Sequence, residues 1–287
     1  MPLKASWCAV GVWVCMAGLA GCASPNASKV EGLAAQGKAY TSTLKKVNDF
    51  ALAQSLEFTA DLLPNLPRDA DTLEEHTQAM RQRHALLQEI AAYLDVQAAY
   101  FVSLEALAKG DTSEATKRSL RNHVEAFNKL PQVETVPRAK KDALTNLAEH
   151  IARWHHHRDL EEVLRRDADA VAQALWMNQQ LLDEQIRWLE KRATLVRQVN
   201  YRERVYKPYV GNNKLGEAWK KAWISDIEQP HAIALLQQAK SASADMQDAW
   251  LNLLRGQADF GPLANTFADI HHNMKQAAAH MAEGTTP

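Results

Sequence analysis

The chain is 287 residues long, and its 33 basic and 34 acidic residues leave a formal net charge of −1 at pH 7. A chain this close to neutrality lacks the basic surplus that binding to a polyanion requires, so we exclude nucleic acid as a partner. Good helix formers dominate the sequence, and no segment has the alternating polar and apolar pattern of a strand. The composition therefore predicts an all-α fold.

The N-terminus has the pattern of an export signal. Lys4 supplies a positive charge, and an apolar run follows over residues 5–20. This run of about 16 residues is shorter than the ~20 that a membrane-spanning helix needs, and small residues follow it, as in a cleaved secretory signal. The run closes on the tetrapeptide Leu19-Ala20-Gly21-Cys22, which resembles the lipobox of bacterial lipoproteins.

The resemblance implies a covalent membrane anchor. In this class residues 1–21 are removed, and Cys22 carries a diacylglycerol on its thiol and an acyl chain on its amino group. Residues 22–28 would then form a short polar tether. The residue after the cysteine is Ala23 rather than Asp. By the same resemblance this favours the periplasmic side of the outer membrane, with the inner membrane and surface exposure left open.

The remaining cysteines and apolar segments add no further attachment or cross-link. Cys8 and Cys15 lie within the signal, so the mature chain keeps a single cysteine and forms no internal disulfide. No second apolar run of spanning length is evident after Cys22. The lipid is therefore the only predicted membrane attachment, and no other cofactor is predicted.

The first half of the mature chain predicts three helices. A long helix over residues 29–63 ends at Pro64 and Pro67. Its apolar face steps by four and three residues, a heptad-like pattern: Leu33, Gly37, Tyr40, Leu44, Val47, Ala51, Gln54 and Phe58.

A second helix begins with Thr72 as N-cap and Glu75 as its capping-box partner, and it stops at Gly110. Its apolar face comprises Leu73, Met80, Leu87, Ile90, Leu94, Phe101 and Leu104. A third helix covers residues 113–129, and a loop with Pro131 and Pro137 follows.

Residues 138–207 contain neither Gly nor Pro. One apolar face over residues 144–154 is out of phase with a second over residues 160–171, which predicts a turn near Arg166-Asp167. Beyond it, two adjoining stripes recur every seven residues and make a wide apolar face, suited to a multi-helix bundle. The stripes are Leu175, Leu182, Leu189 and Val196, and beside them Leu181, Trp188 and Leu195.

The last third predicts a loop over residues 208–216 and a short helix with Trp219 and Trp223. A further helix starts at Pro230, breaks at residues 256–262, and is followed by a final helix and a frayed tail over residues 284–287. Residues 29–283 are thus predicted to form one domain, an elongated antiparallel bundle of about six to eight helices with long, coiled-coil-like members.

Histidine clusters are the main candidates for metal binding. Histidines one residue apart on a helix diverge by about 100°, and histidines seven apart lie about 10 Å apart along the axis, so one helix alone forms no tetrahedral site. Ligands from a second helix would be needed. The residues concerned are His150, His155, His156 and His157, with His271, His272 and His280 on the last helix. No HExxH motif or nucleophile motif is present, and we predict neither a metal site nor catalytic residues.

Residues 201–214 are the best candidate contact segment. They place tyrosines and basic side chains together at a helix end and loop: Tyr201, Arg202, Arg204, Tyr206, Lys207, Tyr209 and Lys214. Tyr and Arg are enriched in binding hot spots, and the cations also suit anionic headgroups or a glycan. Alternatively, the Tyr rings pack the end of the bundle and the cations favour a helix C-terminus.

Three functions follow in order of preference. The first is a lipid-anchored, non-enzymatic protein that binds another envelope protein or an incoming protein, as an adaptor or as an immunity or exclusion inhibitor. The second is a ligand-binding bundle with a pocket near residues 201–214. The third is a metal-dependent enzyme in which His150 or His157 approaches His271 or His272.

Overall fold

The computed structural model describes residues 25–128, 158–211, 214–227, 231–257 and 261–284. No strand occurs in these ranges, so the predicted all-α class is confirmed. The helices are α1 (Pro25–Leu62), α2 (Ala70–Ala108), α3 (Glu114–Asn128), α4 (Arg158–Asn200), α5 (Lys207–Val210), α6 (Glu217–Ile227), α7 (His231–Leu254) and α8 (Gly261–Gly284). A 3-10 turn, Leu63–Asn65, follows α1, and a π-helical turn, Tyr201–Tyr206, follows α4.

Helix α1 begins at Pro25, four residues earlier than predicted, so the predicted tether over residues 22–28 is wrong at its C-terminal end. Proline suits the first turn of a helix because its fixed φ is helical and its missing N–H has no intrahelical role there. Ala27 is already buried. At the other end Pro64 falls within the 3-10 turn, and the predicted stop near Leu63 is confirmed.

The capping prediction for α2 is wrong at its start and confirmed at its end. Asp69 is the N-cap, and its carboxylate accepts a hydrogen bond of 2.7 Å from the backbone N–H of Thr72, which lies inside the helix. At the C-terminus Gly110 has φ +99°, and the N–H groups of Gly110 and Asp111 donate to the carbonyls of Leu107 and Ala106. Glycine adopts this left-handed backbone conformation at little steric cost, because it has no Cβ.

The long helices alternate in direction along much of the chain. Helix α1 packs most extensively on α2, and contacts such as Asn48 to Leu87 and Lys45 to Asp95 show that the two are antiparallel. Helix α7 is antiparallel to both α1 and α4. Helices α1 and α4 run parallel, because Tyr40 contacts Asn178 and Asn48 contacts Gln185. The described ranges therefore form a helical bundle; an elongated, coiled-coil-like form stays a prediction.

The predicted turn near Arg166-Asp167 is wrong. Helix α4 is continuous from Arg158 to Asn200. The part of the predicted change of phase that falls before Arg158 lies outside the described residues. Within the helix, buried residues occur on most sides, from Leu160 and Val163 to Ala170 and Ala172. A helix with neighbours on several sides has no single apolar period, so the phase change there reflects contact with several helices rather than a break in the backbone.

The wide apolar face of α4 is confirmed in its first stripe and only partly in its second. Leu175, Leu182, Leu189 and Val196 are all buried. Trp188 and Leu181 are half-buried against the core, whereas Leu195 is exposed. On α2, Leu73 was predicted on the apolar face and is 56% exposed, because the core contacts of α2 begin only at Met80.

Several buried polar side chains form hydrogen bonds between helices in the middle of the bundle. Asn178 of α4 donates to the hydroxyl of Tyr40 and to Gln97, and Tyr40 donates to Ser243, so one cluster links α1, α2, α4 and α7. Further along, Gln179 and Gln247, and Gln185 and Asn48, form additional buried pairs. Because an unpaired polar group in a core is costly, these partners favour one register of the helices over others.

A buried carboxylate lies where the turn was predicted. The side chain of Asp167 is fully buried, accepts two hydrogen bonds from Arg166 (2.6 and 2.9 Å) and accepts one from the hydroxyl of Tyr100 (3.3 Å). Burial raises the pKa of Asp167, although Arg166 and Tyr100 act in the opposite direction. The folded state therefore holds the proton of Asp167 more tightly than the unfolded chain does.

This shift gives a pH-dependent prediction for the Asp167→Asn variant. A raised folded pKa stabilises the fold when the carboxyl is protonated, and this contribution is lost as pH rises through that pKa. The wild type should therefore gain free energy of unfolding relative to Asp167→Asn as pH falls from 7 to about 4.5. Urea denaturation of both proteins across that range measures the difference.

The matched control is Asp111→Asn. Hydrogen bonds from Thr116 and Ser113 lower the pKa of Asp111, so its contribution has the opposite sign. The wild type should show no gain relative to Asp111→Asn over this pH range, and it should lose stability relative to that variant only as pH falls below about 4. A difference between wild type and Asp167→Asn that stays constant, or that moves with the Asp111 control, would contradict the argument.

One described helix, α2, is long and apolar enough to cross a membrane by length and composition, contrary to the expectation that no such stretch follows Cys22. The same property is found in core helices of bundles. Here 44% of the apolar window is buried inside the structure, and α2 also buries the charged side chain of Arg83. Packing within the bundle therefore accounts for part of the apolar character of α2.

Arg83 is an unusual member of the core. Its side chain is 9% exposed, its Nε donates to Ser55 Oγ, and its guanidinium stacks 3.7 Å from the ring centroid of Trp188. Its Nη2 is buried and has no hydrogen-bond partner in the described part of the chain. Burial, with the nearby charge of Arg192, lowers the pKa of Arg83 to about 10. The indole ring thus offsets part of the cost of burying this cation.

Candidate interaction surface

The segment predicted to make contacts lies at the C-terminal end of α4. There the helix changes to a π-helical turn, in which the N–H of Lys207 donates to the carbonyl of Arg202, five residues back. Pro208 explains the change, because its ring would clash with the carbonyl four residues earlier in a regular helix and it has no N–H to donate. The wider turn lets the chain remain helical through Pro208 to Val210. The predicted loop over residues 208–216 therefore begins later, at Gly211.

Three aromatic rings, one on α5 and two on α6, stack one after another. The rings of Tyr209 and Trp219 have centroids 5.8 Å apart, and those of Trp219 and Trp223 lie 6.3 Å apart and nearly parallel, at 5°. The indole N–H of Trp219 donates to the carbonyl of Val205 at 3.0 Å, and Val205 is buried. These contacts hold α6 on the end of α4 and fix the orientation of the rings.

Apolar exposure is concentrated in this part of the molecule. Of the thirteen large hydrophobic side chains exposed in the described ranges, eight lie within residues 201–227: Tyr201, Tyr206, Tyr209, Val210, Leu215, Trp223, Ile224 and Ile227. Helix α6 has no buried residue. A cluster of exposed apolar side chains on a protein surface indicates an interaction site more often than scattered ones do.

Basic side chains surround the rings. Arg202 and Lys207 both lie close to Glu203, the latter at 2.6 Å, and Lys220 lies 3.9 Å from Glu217. Arg204, Lys214 and Lys221 are exposed and have no carboxylate partner within the described residues. We call the exposed side chains of residues 201–227 the aromatic–basic surface.

The structure exposes every residue that the sequence predicted for this contact segment. Tyr201, Arg202, Arg204, Tyr206, Lys207, Tyr209 and Lys214 are all exposed. The alternative, in which the Tyr rings pack the end of the bundle, holds only in part: Tyr209 stacks on Trp219, but Tyr201, Tyr206 and Tyr209 are 44%, 52% and 62% exposed.

Sequence reasoning missed α6 as part of this surface. The sequence places Trp219 and Trp223 on a short helix without indicating whether they are exposed; one is half-buried and the other is 46% exposed. Their spacing of four residues, which places both on one helix face, was the available signal. Ile224 and Ile227 extend the same exposed side of α6.

The surface lies far from the start of α1 along the bundle. Helix α4 runs parallel to α1, so its C-terminal end lies toward the end of α1 that is remote from Pro25. The 38 residues of α1 span about 57 Å at 1.5 Å per residue. Cys22 lies outside the described residues, three positions before Pro25. An anchor at Cys22 would therefore be attached at the opposite end from the aromatic–basic surface.

Two grooves contain no residue of this surface. One, of about 480 Å³, lies between α1 and α2 and is lined mainly by Leu56, Leu63, His76, Met80 and His84. The other, of about 500 Å³, is lined by charged side chains at the start of α4, from Arg158 to Arg166. Neither includes a residue of 201–214, so the predicted pocket near that segment receives no support from them.

The histidine clusters are only partly within the described ranges. Among the described residues no group of three potential ligands could hold a metal ion. Nε2 of His271 lies 2.7 Å from the ammonium nitrogen of Lys46, and His272 contacts Gln276. His150, His155, His156 and His157 lie outside the described residues, and the side chain of His280 is not described. Their approach to α8 stays a hypothesis.

Comparison with known proteins adds no relative. No family model, no curated protein and no solved structure matches this chain.

Proposed function

We propose that this protein is a lipid-anchored, non-enzymatic interaction protein of the bacterial envelope. Cys22 would attach it to the periplasmic side of the outer membrane, and the aromatic–basic surface would bind another protein. The single observation that carries this proposal is the cluster of exposed, stacked rings and cations on residues 201–227. Tyr, Trp and Arg contribute most to protein-binding hot spots.

The construction of the surface supports binding rather than chance exposure. A bulky ring that is held in place loses little further conformational entropy when a partner covers it. Tyr209 and Trp223 each stack on Trp219, which is itself fixed by its hydrogen bond to Val205. The surface is therefore organised before any partner arrives.

The position of the surface suits an anchored protein. With lipid at one end, the bundle would hold the aromatic–basic surface away from the membrane, at a distance set by helices of about 57 Å. An adaptor between envelope components and an inhibitor of an incoming protein both need such a presentation. Identification of the bound partner decides between them.

The test is site-specific crosslinking in cells. A photoreactive amino acid in place of Tyr209 should give a discrete crosslinked product, whereas the same amino acid in place of the exposed Leu86 on α2 should not. The absence of a product at position 209, or the same products at both positions, would reject the proposed function.

A double variant, Arg204→Glu with Tyr209→Ala, is expected to reduce capture of that partner by at least about tenfold, since loss of a single hot-spot residue often costs 2 kcal/mol or more. Both side chains are exposed, so the circular dichroism should not change, and the loss of the Tyr209–Trp219 contact should lower the urea midpoint only slightly. The matched control is Arg118→Glu with Leu86→Ala, also exposed and outside the surface. Undiminished capture by the double variant would exclude this surface.

A further inference from the structure

Resting on the proposed function, we infer the chemistry of the partner: it presents an acidic protein face. Its carboxylates pair with Arg204, Lys214 and Lys221, and its apolar groups cover the stacked rings of Tyr209 and Trp223. Charge complementarity is the basis of this assignment.

The charge of the surface differs from that of the chain. Residues 201–227 contain six basic and three acidic residues and have a formal charge of +3, whereas the whole chain has −1. The excess is therefore local. A local field of this sign attracts an acidic partner and raises its rate of association.

The acidic residues of the surface leave three cations uncompensated. Glu203 is engaged by Lys207, and Glu217 lies near Lys220. Asp226 is half-buried, with one carboxylate oxygen enclosed and without a hydrogen bond in the described part of the chain. Because Arg204, Lys214 and Lys221 remain exposed without a carboxylate, a partner supplies the missing charge.

The arrangement on α6 favours a protein over an anionic membrane. Trp223, Ile224 and Ile227 lie three, four and seven residues after Lys220, so this cation shares their exposed helix face. An interfacial membrane helix separates a continuous apolar face from its charged face. Lys220 interrupts that face, whereas an acidic protein surface accommodates a cation among apolar contacts.

The experiment uses the mature protein with Cys22→Ser and a defined probe. The probe is a fluorescent, helix-forming peptide with Leu on one face and Glu on the other, and its partner peptide has Gln in place of every Glu. We expect the Glu peptide to bind at least ten times more tightly than the Gln peptide, and its affinity to fall as salt is raised.

Two triple variants locate the effect. Arg204→Glu, Lys214→Glu and Lys221→Glu together should weaken the Glu peptide at least tenfold. Arg118→Glu, Lys191→Glu and Lys275→Glu make the same change of net charge at exposed positions elsewhere and should leave affinity within about twofold, because screened distant charges contribute little.

Several results would overturn the inference. Equal affinity for the Glu and Gln peptides, no binding of either, or equal losses in the two triple variants would each do so. Binding to phosphatidylglycerol vesicles in preference to the Glu peptide would identify a membrane surface instead. In cells, a crosslink from position 209 that persists in the first triple variant would reject the acidic partner but retain the proposed function. If the protein without the triple substitution gives no crosslink from position 209, the proposed function itself is rejected.

Discussion

A Cys22→Ser variant is expected to lose incorporated fatty acid completely and to leave the outer-membrane fraction. Each buried methylene contributes about 0.8 kcal/mol to membrane binding, and two or more chains are needed for stable anchoring. Removal of the thiol removes the attachment site of the diacylglycerol, which is the only membrane anchor that the sequence predicts. Labelling with a radioactive fatty acid, followed by fractionation of the envelope, measures both effects.

The control is already present in the chain. Cys8→Ser and Cys15→Ser alter the other two cysteines, which lie within the predicted signal, and both variants should keep label and location. The bundle should also fold without lipid, since α1 begins only at Pro25. A Cys22→Ser protein that still carries labelled fatty acid would exclude the lipoprotein assignment.

Gly37→Ala is expected to lower the free energy of unfolding by about 2 kcal/mol. In an isolated helix the same substitution would stabilise the helix by up to ~1 kcal/mol. Here a Cβ at position 37 would lie closer than 3.0 Å to ring atoms of Phe101, which is fully enclosed in the core. Overpacking in a core costs about 1–3 kcal/mol, and because the ring of Phe101 is enclosed we expect the upper end of that range, which exceeds the helix gain by about 2 kcal/mol. Urea denaturation monitored by circular dichroism measures the change.

Two further variants test the cause. Ser42→Ala, at an exposed position of the same helix, should change stability by no more than about 0.5 kcal/mol. Phe101→Leu, made in the Gly37→Ala background, should cost less than it does in the wild type, because it removes the clash. Additive effects of the two core substitutions would show that the glycine is not needed for the approach of α1 to α2.

Much of the helix pattern could be predicted from the sequence because local chemistry fixes helix ends. Pro64 ends α1, Gly110 closes α2 in a left-handed turn, and Gly256, with φ +77°, lies just beyond α7. The errors of position were also local. Asp69 rather than Thr72 caps α2, since either side chain suits an N-cap and only the backbone path selects between them.

The turn predicted at Arg166-Asp167 is wrong because of contacts with residues that are distant in the sequence. The prediction rested on a change of phase between two apolar faces, and such a change resembles a break in the helix when the neighbouring helices are unknown. Tyr100 lies 67 residues away in sequence, and its hydroxyl gives Asp167 a partner inside the core. The same holds for Asn178, whose partners come from α1 and α2.

The aromatic–basic surface also has one part that the sequence predicts and one part that only the tertiary structure shows. Its basic and tyrosine residues are adjacent in the chain, so residues 201–214 are identifiable from their composition and spacing. Its second half depends on α6 folding back so that Trp219 stacks on Tyr209 and donates to Val205. Periodicity indicates that a Trp lies on an apolar face, but it does not indicate whether another helix covers that face.

Local patterns in the sequence were sufficient to predict the all-α class and most helix ends, and they carry the proposed export signal with its lipobox, because each depends on residues within a few positions of one another. The tertiary structure decided which polar side chains lie in the core, that α4 is unbroken, and that the rings of Tyr209 and Trp223 face solvent. Burial depends on partners distant in the chain, and no local pattern specifies them.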